Sequence, residues 1–222
     1  MNKNKANKKI MDVILEIEKT ARKNSLPSIG PIKGKIIKNI IKKYKPKRIL
    51  EIGALHGYSA ILMANFVRTY DNSDKKNLDN DTRKEEIIVT SVEVDPDRAN
   101  ISKKNIEKAG LSNKIEVING DALEVISKLD NQYKFDLIFI DAVKEDYLKY
   151  LQYIEKNNLL NKDAVVVADN VLLYEDEMKD YLEYVRNSGH YNSYTSKTSL
   201  EFTKNVEDAI EISIQKDRAD QE

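Results

Sequence analysis

Between Arg48 and Asn187 the chain alternates short β-branched runs with amphipathic segments, and this alternation constrains the fold more than any other feature. The runs are "RILEI", "IIVTSVEV", "KIEVING", "FDLIFID" and "AVVVAD". Between them, a helix opens near His56 and continues through "YSAILMANF", and "DPDRANISKKNIEKAG" is started by Asp95 and Pro96 and stopped by Gly110. "DALEVISKL", a segment from about Lys144 to Asn157, and "EDEMKDYLEYVRN" complete the helical set. Strands in strict alternation with helices form βαβ units, so the expected fold is α/β with a mostly parallel sheet. "YNSYTSKTSLEF" and "VEDAIEISIQK" have no helix between them and predict an antiparallel hairpin at one edge, making seven strands in all.

Ahead of the sheet, Ile10, Met11, Val13, Ile14 and Ile17 recur at helical spacing, predicting an amphipathic helix over residues 5 to 22. Gly30 and Pro31 punctuate, and a second helix is expected from Ile32 to Tyr44. Residues 68 to 86, "RTYDNSDKKNLDNDTRKEE", hold almost nothing apolar and read as a polar surface loop. The 222 residues fit one domain, with residues 1 to 45 adding helices beside its site.

Composition narrows the chemistry. There are no cysteines and only two histidines, which excludes disulfides, thiolate metal sites and a cysteine nucleophile; any metal would be held by oxygen. No apolar run approaches the ~20 residues of a membrane helix, so a cytoplasmic protein is expected. The net charge is zero, yet residues 1 to 50 carry 15 of the 37 basic and 3 of the 37 acidic side chains. That imbalance suits an RNA or an anionic surface, or is a solvated lysine-rich face.

In open parallel sheets, ligands lie beyond the carboxyl ends of the strands. Here every such end carries an acid: Glu51, Glu93, Asp121, Asp141 and Asp169. "EIGALHGYSA" is a glycine-bearing turn without the G-x-G-x-x-G spacing of a pyrophosphate loop, since Gly53 and Gly57 are four apart. Glu51 before the first glycine suits a ligand with a positive group, such as the amino group of S-adenosylmethionine; otherwise the loop is a plain tight turn. Glu93 can accept ribose hydroxyls or stand as a surface acid before the "DPD" cap.

Asp141 follows one buried strand and Asp169-Asn170 another, with Lys144 three residues past Asp141, where a helical turn returns it to the same side. Asp169-Asn170 alone is equally a turn signal. Brought together, two carboxylates and an amide suit a hard cation, Mg²⁺ or else Mn²⁺ or Ca²⁺. A phenol with pKa near ~10 loses its proton reluctantly at neutral pH. A divalent cation eases that loss, and Lys144 would accept the proton.

The chain resembles the catechol O-methyltransferase family of metal- and S-adenosylmethionine-dependent enzymes. The likeness runs through "SIGPIKGKII", "LEIGALHGYSA", "VEVDPD", "FIDAVKEDY", "VADNV" and "SLEF". It implies the Rossmann-like class I methyltransferase fold, with Asp141, Asp169 and Asn170 on Mg²⁺ and Lys144 as base. It also implies that Glu201 meets the second substrate hydroxyl. Ile29, Glu51, Gly53, Gly57, Tyr58, Ser59, Glu93, Asp121, Ala122 and Asp141 would line the cofactor. The chain departs from the catechol pattern at Ser25, Ala142, Val143 and Tyr174, where the family has aromatic gatekeepers, a histidine and a proline. The implied substrate is a small hydroxylated aromatic; the alternative within the family is a hydroxyuridine of transfer RNA. A catalytically silent nucleoside-binding protein is the reading from another class. Sequence leaves monomer and homodimer both open.

Overall fold

The computed structural model describes residues 3–71, 86–203 and 205–216. Among them, seven strands form one sheet: β1 (Ile49–Ile52), β2 (Val89–Glu93), β3 (Ile115–Asn119), β4 (Phe135–Ile140), β5 (Leu160–Ala168), β6 (Tyr191–Ser199) and β7 (Glu207–Gln215). Their order across the sheet is β3-β2-β1-β4-β5-β7-β6. The first five are mutually parallel, and β7 enters antiparallel between β5 and β6. This is the doubly wound arrangement that the alternation predicts, closed at one edge by the expected hairpin. The order reverses between β1 and β4, which leaves a crevice at their carboxyl ends.

Seven α-helices accompany the strands in the described chain: α1 (Lys3–Asn24), α2 (Gly30–Tyr44), α3 (Tyr58–Asp71), α4 (Pro96–Ala109), α5 (Ala122–Lys128), α6 (Tyr147–Lys156) and α7 (Lys179–Asn187). Side-chain alternation along the strands divides the core. Ile49, Leu137, Phe139, Val165, Val167, Ile210 and Ile212 pack with α1 to α4 on one face. Leu50, Ile52, Ile138, Ile140, Val166 and Ala168 pack with α5 to α7 on the other. A strand buried on both faces shows no polar alternation, which is why these read as unbroken apolar runs.

Several boundaries differ from expectation for local reasons. α1 is longer at both ends than 5 to 22, and α2 starts at Gly30 instead of Ile32. Residues 68 to 71 of the expected loop are the last turn of α3, residues 72 to 85 lie outside the described residues, and Glu86 is exposed and irregular. The helix expected from Lys144 starts as a 3-10 turn, Lys144–Asp146, before α6. The last helix begins at Lys179, not Glu175, because residues 171–178 form turns tied by Tyr174 N–H to Asn170 O at 3.1 Å and Met178 N–H to Tyr174 O at 3.0 Å. No described helix is long and apolar enough to cross a membrane.

Candidate active site

The carboxyl ends of four parallel strands line up through backbone hydrogen bonds. Gly53 N–H donates to Val92 O at 2.9 Å, Asp141 N–H to Ile52 O at 2.9 Å, and Asp169 N–H to Ile140 O at 3.0 Å. Glu93, Gly53, Asp141 and Asp169 therefore stand in one row. Packing there is tight: Gly53 has φ +101° and a Cβ on it would lie 2.0 Å from the Asp141 carbonyl oxygen. Only glycine fits that backbone and that gap.

On the β1–β2 side, Glu51 is fully buried. Ser91 Oγ donates to its Oε2, while Oε1 has no hydrogen-bond partner. Burial pushes its pKa up to about 7, with the neighbouring Ser59 and Ser91 hydroxyls pulling the other way. Ser59 itself is buried at the start of α3. Glu93 Oε2 accepts from Leu55 N–H at 2.7 Å and Oε1 from Asp95 N–H at 3.1 Å, so this acid joins the β1–α3 and β2–α4 loops. Gly57 closes its loop by donating to Ala54 O at 2.7 Å. Tyr58 turns its hydroxyl onto Glu18 of α1 at 2.7 Å, locking α1 over α3.

Asp121 is exposed and caps α5 by accepting from Glu124 N–H at 3.1 Å, with Ala122 buried beside it. Ile29 is buried at the N-cap of α2. Glu201 lies in the β6–β7 connection, and its Oε1 accepts the N–H groups of both Ile32 and Lys33. A carboxylate at a helix N-terminus satisfies two otherwise unpaired donors and meets the positive end of the helix dipole. The resemblance assigns Glu201 to a substrate hydroxyl; here its Oε1 is committed to α2.

On the β4–β5 side, Lys144 Nζ lies 3.0 Å from Asp141 Oδ1 and 2.8 Å from the Tyr147 hydroxyl. The 3-10 turn does what the expected helical turn would: it folds Lys144 back over Asp141. Asp169 is buried, and burial together with the Asp141 charge raises its pKa to about 6, opposed by Lys33 and Lys144. Asn170 adopts φ +64°, a left-handed conformation that asparagine tolerates better than most residues.

Two residues of this site were not singled out by sequence reasoning. Lys33 is buried and its Nζ lies 2.6 Å from Asp169 Oδ1 and 2.6 Å from Asp208 Oδ2. Burial opposes its charge, but the two carboxylates hold its pKa above the usual lysine value. Asp208, at the start of β7, is completely buried and accepts from Lys33 and from Asn170 Nδ2, the latter at 2.8 Å. Lys33 did leave a trace in the sequence. It falls four residues from Ile29 and four from Ile37, on the stripe that α2 buries. Asp208 left none, because β7 is buried on both faces and its neighbours do not alternate.

Residues 3–181 match the family model described as O-methyltransferase. The chain belongs to the O-methyltransferase family. It is 32% identical to catechol O-methyltransferase B of Danio rerio, over 84% of this chain and 65% of that protein. Against catechol O-methyltransferase of Mus musculus it is 32% identical, over 84% of this chain and 64% of the relative. The chain thus spans slightly less than two thirds of those relatives' length. The O-methyltransferase of Bacillus cereus, solved in complex with SAH, superposes with a TM-score of 0.73 at 24% identity, covering 92% of this chain and 91% of that one. That likeness fixes the class I methyltransferase fold for this family member.

No three His, Cys, Asp or Glu side chains cluster as a metal-holding group among the described residues. A ligand set here would instead be the two carboxylates of Asp141 and Asp169 with the Asn170 amide.

Proposed function

We propose that this O-methyltransferase family member transfers a methyl group from S-adenosylmethionine to one hydroxyl of a small aromatic substrate with adjacent hydroxyls. The observation that carries the reading is Lys144, an amine 3.0 Å from Asp141 and beside Asp169 at the mouth of the sheet crevice. An amine held there can take a proton from a bound hydroxyl, which a site built only for binding does not need; this weighs against a catalytically silent protein.

The residues fit the cofactor. Glu51 Oε1 is a buried acceptor with no partner, and the ammonium of the methionine moiety would supply one. Glu93 retains lone pairs for ribose hydroxyls beyond the two N–H groups it accepts. Ile29, Gly53, Gly57, Tyr58, Ser59, Asp121 and Ala122 would shape the rest of that pocket. They fit a divalent cation as well. With Lys144 as the neutral amine that a base must be, Asp141, Asp169 and Asp208 carry three negative charges against the single positive charge of Lys33, so two negative charges stay uncompensated around an all-oxygen donor set. When bound to Asp141, Asp169 and Asn170, Mg²⁺ supplies the Lewis acidity that makes a phenol easier to ionise.

The protein's own groups do the remainder. Asp141 and the Tyr147 hydroxyl aim Lys144, which accepts the substrate proton. The freed oxygen attacks the methyl carbon, the carbon–sulfur bond breaks, and the sulfonium leaves as the thioether S-adenosylhomocysteine. Ile32, Val143, Leu173 and Tyr174 are exposed apolar side chains flanking these residues, and they form the wall for an aromatic ring. Glu201 Oε2 would be the carboxylate oxygen left for a second hydroxyl.

The test is methyl transfer from labelled S-adenosylmethionine to a catechol panel, with EDTA and then excess Mg²⁺. Turnover lost to EDTA and restored by Mg²⁺ is expected; a panel that is never methylated would overturn the substrate class. A second reading, a hydroxyuridine of transfer RNA as substrate, is favoured by the exposed Lys5, Lys8, Lys9, Lys35, Lys38 and Lys42 on α1 and α2. Activity on RNA that falls steeply with salt would select it.

A further inference from the structure

Asp208 lies outside every motif that carries the family likeness, yet it is completely buried beside the proposed ligand set. Its four donors leave it no unused capacity. Oδ2 accepts from Lys33 Nζ at 2.6 Å and Asn170 Nδ2 at 2.8 Å. Oδ1 accepts from Ala209 N–H at 2.8 Å and Leu173 N–H at 3.3 Å.

An asparagine amide has two chemically opposite arms, and they are nearly the same shape. A carboxylate 2.8 Å away settles which arm faces it, because only Nδ2 can donate and Oδ1 would meet another oxygen. The other arm, Oδ1, is then the only arm left for the site. From the same pair of anions, Lys33 draws Asp169 and Asp208 together, each 2.6 Å from its Nζ. Without that cation, two buried carboxylates would repel across the gap. Lys33 in turn is fixed by α2, whose first turn Glu201 caps.

We infer that Asp208, with Lys33 as its counter-charge, is a positioning residue that fixes the Asn170 amide with Oδ1 toward the cation site and so sets divalent-cation affinity. The inference rests on the ligand set proposed above. It explains why position 170 is an amide: an aspartate there would place a carboxylate against Asp208. Orientation of a ligating side chain by a hydrogen-bonded neighbour is worth roughly 10- to 100-fold in metal affinity where it has been altered in other proteins.

The experiment is Mn²⁺ binding, followed by the loss of the free-ion electron paramagnetic resonance signal, with S-adenosylmethionine affinity measured by calorimetry on the same samples. Asp208→Asn should weaken Mn²⁺ binding by roughly tenfold or more, while S-adenosylmethionine affinity stays within about twofold, because a purely structural fault would move both. The double variant Asn170→Asp/Asp208→Asn exchanges amide and carboxylate and keeps the net charge: the relocated amide donates to the relocated carboxylate, and Lys33, which loses its acceptor at position 208, keeps Asp169. It should recover most of the Mn²⁺ affinity. If Asp208→Asn does not fold, the exchange variant carries the test: recovery of fold and Mn²⁺ binding supports the pairing, and a folded exchange variant that binds no Mn²⁺ overturns it. Wild-type Mn²⁺ affinity in Asp208→Asn would overturn the positioning role alone. A wild-type protein that binds no Mn²⁺ would overturn the ligand set as well.

Discussion

The two halves of the site bury acids in opposite ways. On the β1–β2 side, Glu51 sits without a cation, partnered by a serine hydroxyl, and its pKa rises to about 7. On the β5–β7 side, Asp169 and Asp208 share Lys33, and Asp208 is held below the ordinary carboxylate value although its burial pushes the other way. Desolvation is common to all three acids: with the Asp141 charge it still prevails at Asp169, which rises to about 6 despite Lys33, whereas at Asp208 Lys33 and the hydrogen-bond donors prevail. The first half is poised to receive a positive group that arrives with a ligand. The second already holds a fixed cation, Lys33, between its two acids.

The largest effect expected from breaking this contrast is catalytic. Lys144→Ala removes the amine between Asp141 and the Tyr147 hydroxyl without touching the β1–β2 half. Turnover should fall by roughly 10²- to 10⁴-fold, the usual contribution of a general base, while S-adenosylmethionine affinity is retained. Wild-type turnover in that variant would dismiss Lys144 as the base.

Removing a charge should have opposite consequences for folding in the two halves. Lys33→Met strands two buried carboxylates, and breaking a buried ion pair costs about 3–5 kcal/mol. Urea denaturation should show a midpoint lowered accordingly, with the slope unchanged. A stability loss below about 1 kcal/mol, the scale of an exposed pair, would mean that water reaches Asp169 and Asp208 when Lys33 leaves. A smaller loss is expected at the junction of the halves. Gly30 has φ +52°, and a Cβ there would lie 2.5 Å from the Glu201 carboxyl carbon. Gly30→Ala should cost about 1–3 kcal/mol through backbone strain, with the displaced cap as a further loss. Thermal melts of Gly30→Ala beside Glu201→Gln would separate the two contributions.

The same contrast explains what the sequence made legible. The sheet could be read because each strand and helix is contiguous and its pattern lies within a few residues. The loop holding Glu51, Gly53 and Gly57 is contiguous too, as are Asp141 with Lys144 and Asp169 with Asn170. Lys33 and Asp208 stand 175 residues apart, and their pairing exists only once β7 inserts beside β5 and α2 is laid over the crevice. Nothing local distinguishes Asp208 from the exposed Glu207 before it. Glu201 is a related case: its place near the site was readable from "SLEF", but its work as a cap for α2 depends on a contact 168 residues away in sequence.

The smallest expected effect concerns protons at Glu51, and it separates the halves most cleanly. In the unfolded chain this carboxyl ionises near its ordinary value of 4.5, whereas in the folded protein it holds its proton to about 7. Between those values the folded state binds the extra proton, so stability contributed by this group falls as pH rises through that window and is level above it. Glu51→Gln removes the dependence and should raise stability at pH 8, the reverse of Lys33→Met. An arriving ammonium reverses the local electrostatics by favouring the carboxylate, so S-adenosylmethionine binding near neutral pH should release a fraction of a proton. Calorimetry in buffers of differing ionisation enthalpy measures that fraction directly. It should vanish in Glu51→Gln, together with much of the affinity. Proton release that persists in Glu51→Gln would place the titrating group elsewhere, and would remove the contrast between an acid waiting for its cation and a pair that already has one.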